Sequence, residues 1–161
     1  MSTTLSELHI LLIEDSRADA KIIERALREG RIPHRLTVIR DGRQALDYLF
    51  GLLDETAEPE REPDLILLDL NLPGLDGCQV LARIKADPQL RILPVIVLTT
   101  SNREEDVIQT YQAGANTYIP KPAEYARYCE VVSALRTYWL DTALKVPHPL
   151  LRARPGANEH G

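Results

Sequence analysis

Five side chains in this 161-residue sequence are of types that could do phosphorus chemistry together. Glu14 and Asp15 follow one short apolar run, Asp69 closes a second, Thr99 follows a third, and Lys121 lies just past a fourth. Three carboxylates held close repel one another and stay ionised only if a cation or hydrogen-bond donors compensate them. A hard divalent ion with oxygen ligands is the natural compensation. Mg²⁺ suits a site with few protein ligands, because it keeps several waters and accepts phosphate oxygens. Lys121, a long point charge, could pair with Asp69 at rest and with a phosphoryl oxygen later. Thr99 could donate its hydroxyl to the same group. A carboxylate can attack phosphorus to give an aspartyl-phosphate, a transfer that asks mainly for in-line positioning and charge neutralisation. Asp69 fits the nucleophile best. It ends the central apolar run, and the loop behind it (Asn71, Pro73, Gly74, Gly77) could bring backbone close to a metal. Taken singly, each residue has a plainer reading as a solvated loop acid, a cap or a helix start; their conjunction carries the weight.

The elements that would position these residues alternate along the chain. Leu8–Ile13 reads as a strand, followed by a helical face of Ala18, Ile22, Ile23, Ala26 and Leu27 that stops at Gly30. Residues 36–39 read as a second strand, and Asp41 as the N-cap of a helix carrying Ala45, Leu46, Leu49 and Phe50. The acidic stretch 51–63, with Pro59 and Pro63, reads as an exposed loop. Strands at 65–68, 95–98 and 116–119 then alternate with helices after Asp76-Gly77, near 103–113 and over about 124–144. Continuous Val/Ile/Leu strands belong to a parallel sheet covered on both faces. The expectation is a doubly wound α/β fold with five parallel strands and five helices, whose ligands bind beyond the carboxyl ends of the strands. All five candidate residues lie there. The domain is expected over 8–144, with an extension at 1–7 and a tail at 145–161.

Composition narrows the class. For this length the folded surface is about 8,000 Å² against about 26,000 Å² unfolded, enough for one core but not two. A separate effector half is therefore not expected. With 24 Asp+Glu against 19 Lys+Arg, the net charge of −5 argues against nucleic acid as the main partner. Neither a targeting signal nor a membrane span is visible, so no membrane association and a cytoplasmic location are expected. Cys78 and Cys129 lie far apart and read as two free thiols. His9, which alternates into the first strand, reads as a packed residue.

At the chemistry-bearing residues the sequence resembles the receiver domains of two-component response regulators. The likeness lies in Glu14-Asp15, in Asp64-Leu-Ile-Leu-Leu-Asp69-Leu-Asn71-Leu-Pro73-Gly74-Leu-Asp76-Gly77, in Val97-Leu-Thr99 and in Tyr118-Ile-Pro-Lys121-Pro122. It spans roughly Leu8 to Leu140. It implies a flavodoxin-like, CheY-like fold and makes Asp69 the phosphoacceptor. Glu14, Asp15, Asp69 and the backbone carbonyl of Asn71 would serve Mg²⁺, while Thr99 and Lys121 would contact the phosphoryl group. A cis peptide is implied at Lys121-Pro122. Thr99 and Tyr118 would form a coupled switch, and Asn71, Thr100 and Ser101 would influence hydrolysis of the acyl phosphate.

The implied phosphodonor is a histidine on a partner sensor kinase. A finer likeness is to the small regulators that pair with bacterial phytochrome histidine kinases. It rests on the long acidic loop, on Leu98-Thr-Thr-Ser-Asn-Arg-Glu-Glu-Asp, on Ala115-Asn-Thr-Tyr-Ile-Pro-Lys-Pro and on Tyr138-Trp139-Leu140. The last helix carries Tyr125, Tyr128, Val131, Val132, Leu135, Tyr138 and Trp139 over a wide arc. That aromatic surplus suggests a homodimer through the fourth helix, fifth strand and fifth helix, or else a deeper core contact. Three rivals fare worse. A phosphatase of the haloacid dehalogenase kind would need Asp-x-Asp after the first strand, an inert receiver-like adaptor would have lost site residues, and a flavin module would need a hydroxyl-rich phosphate loop.

Overall fold

The computed structural model describes residues 7–54, 56–58 and 62–142. Most of the extension expected at 1–7 and the whole tail expected at 145–161 lie outside the described residues, as does the last part of the 8–144 domain. Five strands, β1 (Leu8–Ile13), β2 (His34–Ile39), β3 (Leu65–Leu68), β4 (Val95–Thr99) and β5 (Thr117–Pro120), alternate with five helices. The helices are α1 (Arg17–Glu29), α2 (Gly42–Gly51), α3 (Gly77–Ala86), α4 (Glu104–Gln112) and α5 (Tyr125–Trp139). The sheet is parallel throughout, in the order β2-β1-β3-β4-β5.

Alternation along the strands divides the core. Leu11, Ile13, Ile66, Leu68, Val95 and Val97 pack in one cluster with α2 and α3. Ile10, Leu12, Leu65, Leu67, Ile96 and Leu98 pack in the other with α1 and α5. Because both faces are covered, β1, β3 and β4 are buried at every position. β5, at the edge, is only half-buried and ends on Pro120, a residue that suits an edge because it lacks an N–H.

Local chemistry sets the helix starts. Ser16 accepts from the Asp19 N–H to cap α1, Asp41 caps α2 through the Gln44 N–H, and Asp76 with Gln79 forms a reciprocal capping box on α3. α4 has no side-chain cap, but Glu104, Glu105 and Asp106 place negative charge in its first turn, where the helix dipole favours it.

Three expectations are corrected. The last helix ends at Trp139 rather than running to 144, because the Leu140 and Asp141 N–H groups both turn back to the Arg136 carbonyl, at 2.9 and 3.3 Å. The 51–63 stretch is not simply exposed. Leu52 is buried in the core, and Glu62 and Pro63 are buried beside His9, whose ring holds the Glu62 carbonyl. The described residues contain no cis peptide bond, so Lys121–Pro122 is trans. Trans is the preferred form of an X–Pro bond by about 0.5–1 kcal/mol, and from it the Lys121 ammonium already reaches the acids on β1 and β3.

Candidate functional site

The strand order reverses between β1 and β3, and the crevice at their carboxyl ends gathers the residues singled out above. The ladder itself continues into the site. Glu14 N–H donates to the Ile39 carbonyl and Asp69 N–H to the Ile13 carbonyl, each at 3.0 Å, while Lys121 N–H donates to the Thr99 carbonyl at 2.7 Å. Backbone pairing thus fixes where each of these three side chains begins.

Asp69 is 4% exposed. Its Oδ1 accepts the Asn71 N–H at 3.2 Å and its Oδ2 accepts from Lys121 Nζ at 3.1 Å. Behind it the loop turns through Gly74 (φ +69°), and the Gly77 N–H closes it on the Leu70 carbonyl at 3.0 Å. A Cβ on Gly77 would lie 2.3 Å from the Asp69 carbonyl oxygen, so only glycine fits against the back of this residue.

Glu14 is more deeply buried still, with Oε1 on the Ser16 N–H at 3.0 Å and Oε2 3.0 Å from Lys121 Nζ. Its carboxyl is pushed up to about 7, first by burial and then by the Asp69 charge beside it. Burial pulls on Lys121 in the opposite sense. Hydrogen bonds to Asp19 and Glu14 and the charge of Asp69 prevail, and its ammonium titrates above the usual range. Asp15 stands exposed at the mouth, its backbone carbonyl accepting from Arg40 Nη2 at 3.1 Å.

Thr99 is fully buried, and its hydroxyl has no hydrogen-bond partner among the described residues. Such an orphan costs about 1–3 kcal/mol, which calls for a reason. Beside it, Asn71 Nδ2 donates to Thr100 Oγ1 at 3.1 Å. Tyr118 is half-buried, its hydroxyl donating to the Ser101 carbonyl at 2.6 Å and its N–H to the Tyr111 hydroxyl at 3.0 Å. Burial pushes the Tyr118 phenol up.

Sequence reasoning missed one member. Asp19, on the first turn of α1, approaches Lys121 Nζ to 2.7 Å. The Ser16-x-x-Asp19 spacing marks a helix start and could have placed Asp19 at this rim.

The donor set suits a hard cation. Glu14 and Asp69 offer buried oxygen atoms, Asp15 is accessible, and one ammonium, that of Lys121, is shared by Glu14, Asp19 and Asp69. At rest the Lys121 ammonium compensates Glu14, Asp19 and Asp69 together. The chemistry of the donors therefore fits a divalent metal whose charge would relieve this repulsion.

The response regulator receiver domain family matches residues 10–133. The chain belongs to that family. It is similar to the response regulator Rcp1 of Synechocystis sp., 42% identical over 133 residues that cover 83% of this chain and 89% of Rcp1. Its structure resembles that of the phosphorylated cyanobacterial phytochrome response regulator RcpA, with a TM-score of 0.77 at 42% identity, covering 87% of this chain and 99% of RcpA. The Mn²⁺-bound form of Rcp1 matches with a TM-score of 0.74 at 40% identity, covering 86% and 99%. Membership makes this a two-component signalling protein, and receiver domains bind a divalent metal and are partnered by histidine kinases. No helix among the described residues is long and apolar enough to cross a membrane.

Proposed function

We propose that the chain is a phosphoacceptor that takes a phosphoryl group onto Asp69 from a phosphohistidine of a partner sensor kinase. One observation carries this reading most. The Asp69 carboxylate, nearly excluded from water, has one oxygen on the Asn71 N–H and the other 3.1 Å from the Lys121 ammonium, at the switch point of the sheet. In the transfer an Asp69 oxygen bonds to phosphorus, the N–P bond of the donor breaks, and its electron pair returns to the imidazole nitrogen. Lys121 then neutralises one phosphoryl oxygen, and the Thr99 hydroxyl finds in another the partner it lacks at rest. Glu14, Asp15, Asp69 and the Asn71 carbonyl are the groups that would hold Mg²⁺, which when bound supplies charge neutralisation to the phosphoryl oxygens. Hydrolysis of the acyl phosphate returns the carboxylate. The role is that of a phosphoacceptor in signalling.

The output is a change of surface. Thr99 shifts toward the phosphoryl group and Tyr118 leaves the Ser101 carbonyl to turn inward, a local charge event biasing a two-state element. Ile108, Tyr111 and Tyr138 are respectively 50%, 46% and 56% exposed on α4 and α5. A groove of about 520 Å³ lies between β5 and α5, lined in part by Ile119, Val131 and Trp139. This apolar face supports a homodimer through α4, β5 and α5. Similarity to RcpA supports a bacterial phytochrome as the cognate kinase, and a cytoplasmic location belongs to the same reading.

The test is incubation with Mg²⁺ and a small phosphodonor, followed by intact mass. Addition of one phosphoryl group, absent with EDTA and absent in Asp69→Asn, is expected. Addition that survives Asp69→Asn would refute the assignment.

A further inference from the structure

Lys121 has three N–H donors and three carboxylate partners, and its shortest contact goes to the acid with no role so far. Nζ lies 2.7 Å from Asp19 Oδ2, against 3.0 Å from Glu14 Oε2 and 3.1 Å from Asp69 Oδ2. We propose that Asp19 is a positioning residue for phosphoryl transfer, which holds the Lys121 ammonium at rest and competes with the phosphoryl group for it. The inference rests on Asp69 being the phosphoacceptor.

Helix capping does not account for the Asp19 carboxylate. Its own N–H donates to Ser16 Oγ at 3.2 Å, but the Ser16 N–H that a reciprocal box would use is taken by Glu14 Oε1. The carboxylate is thereby left to Lys121, and the amino end of α1 favours its charge. With three donors on three acceptors, Lys121 reaches a phosphoryl oxygen only by releasing a present partner. Glu14 and Asp69 have side chains 2% and 4% exposed and would be stranded away from water. Asp19, 29% exposed, can take up water when the ammonium leaves. It is the contact least costly to surrender, and it also adds negative charge where an anionic group must arrive.

The experiment uses beryllofluoride, a tetrahedral mimic that binds a carboxylate oxygen as a phosphoryl group does. It is titrated into the full chain at saturating Mg²⁺ and followed by ¹⁹F NMR; Mg²⁺ alone is titrated in parallel. Removing a partly buried, charge-assisted competitor predicts that Asp19→Asn binds beryllofluoride about threefold to tenfold more tightly. The same loss of charge weakens Mg²⁺ binding. Asp19→Glu keeps the charge and stays within about twofold of the unaltered chain. Opposite movements of anion and metal affinity are what a purely structural role cannot produce. Equal or weaker beryllofluoride binding in Asp19→Asn, or an Asp19→Glu chain that behaves like it, overturns the competition. If the unaltered chain binds no beryllofluoride, the phosphoacceptor reading falls with it. If the unaltered chain binds and Asp69→Asn does not, an Asp19→Asn chain that matches the unaltered one removes only the role of Asp19.

Discussion

At the amino end of the sheet His9 is 5% exposed, and both ring nitrogens have partners: Nδ1 donates to the Glu62 carbonyl at 2.9 Å and Nε2 lies 3.1 Å from Thr37 Oγ1. Its backbone N–H donates to Asp64 Oδ2 at 2.8 Å. At the carboxyl end of the same strand, Glu14 is as buried, yet it shares one ammonium with two other acids beside a threonine hydroxyl that has no partner. A saturated polar cluster ties a loop to the sheet, whereas a crowded one stores unfavourable charge that a cation and an anionic group can relieve. Burial even moves the two ends oppositely, pushing His9 below its ordinary range and Glu14 above it.

The contrast breaks most visibly at Lys121. Lys121→Ala strands Glu14 and Asp69 without their cation and is expected to cost about 3 kcal/mol at pH 8, measured by urea unfolding. The loss shrinks at pH 5.5, where Glu14 carries a proton, and Mg²⁺ restores part of it. His9→Ala removes two satisfied ring contacts at the other end. It is expected to cost about 2 kcal/mol while phosphoryl uptake by intact mass stays unchanged.

Glu14→Gln sharpens the comparison through pH. Because the folded chain holds the Glu14 proton up to about 7 and the unfolded chain releases it near the ordinary glutamate value, stability falls as pH rises between the two. His9 works in the reverse sense, its contribution lost as pH falls below its ordinary value. Glu14→Gln should therefore flatten the neutral side of the stability profile, gaining about 1–2 kcal/mol at pH 8 without Mg²⁺, and weaken Mg²⁺ binding. Thr99→Val deletes the orphan hydroxyl and keeps the shape. It is expected to raise the unfolding free energy measured in urea slightly, by about 1 kcal/mol or less, and to shorten the lifetime of the phosphorylated chain.

Strand and helix order was legible because the buried strands are aliphatic apart from His9 in β1 and Thr99 at the end of β4, and Asp41 and Gly30 punctuate the helices in the ordinary way. The rim residues were legible because strand ends are where such sheets present side chains. Asp19 was not, since it lies on a helix start, and only tertiary packing brings it to a lysine 102 residues away. The burial of Glu62 escaped for a related reason. Its acidic, proline-flanked surroundings read as solvent, and the ring that holds its carbonyl comes from a strand 53 residues earlier. His9 was readable as packed, but its partners were not. The trans bond before Pro122 departs from what resemblance implied, and nothing in the local sequence distinguishes the two isomers.

The most direct measurement reduces the phosphorylated chain with borohydride, which converts an acyl phosphate to the corresponding alcohol, and maps the product by peptide mass spectrometry. Homoserine at position 69 and nowhere else is the expected result. Phosphate retained on another residue, or an unchanged Asp69 in a chain that has gained a phosphoryl group, would contradict the account.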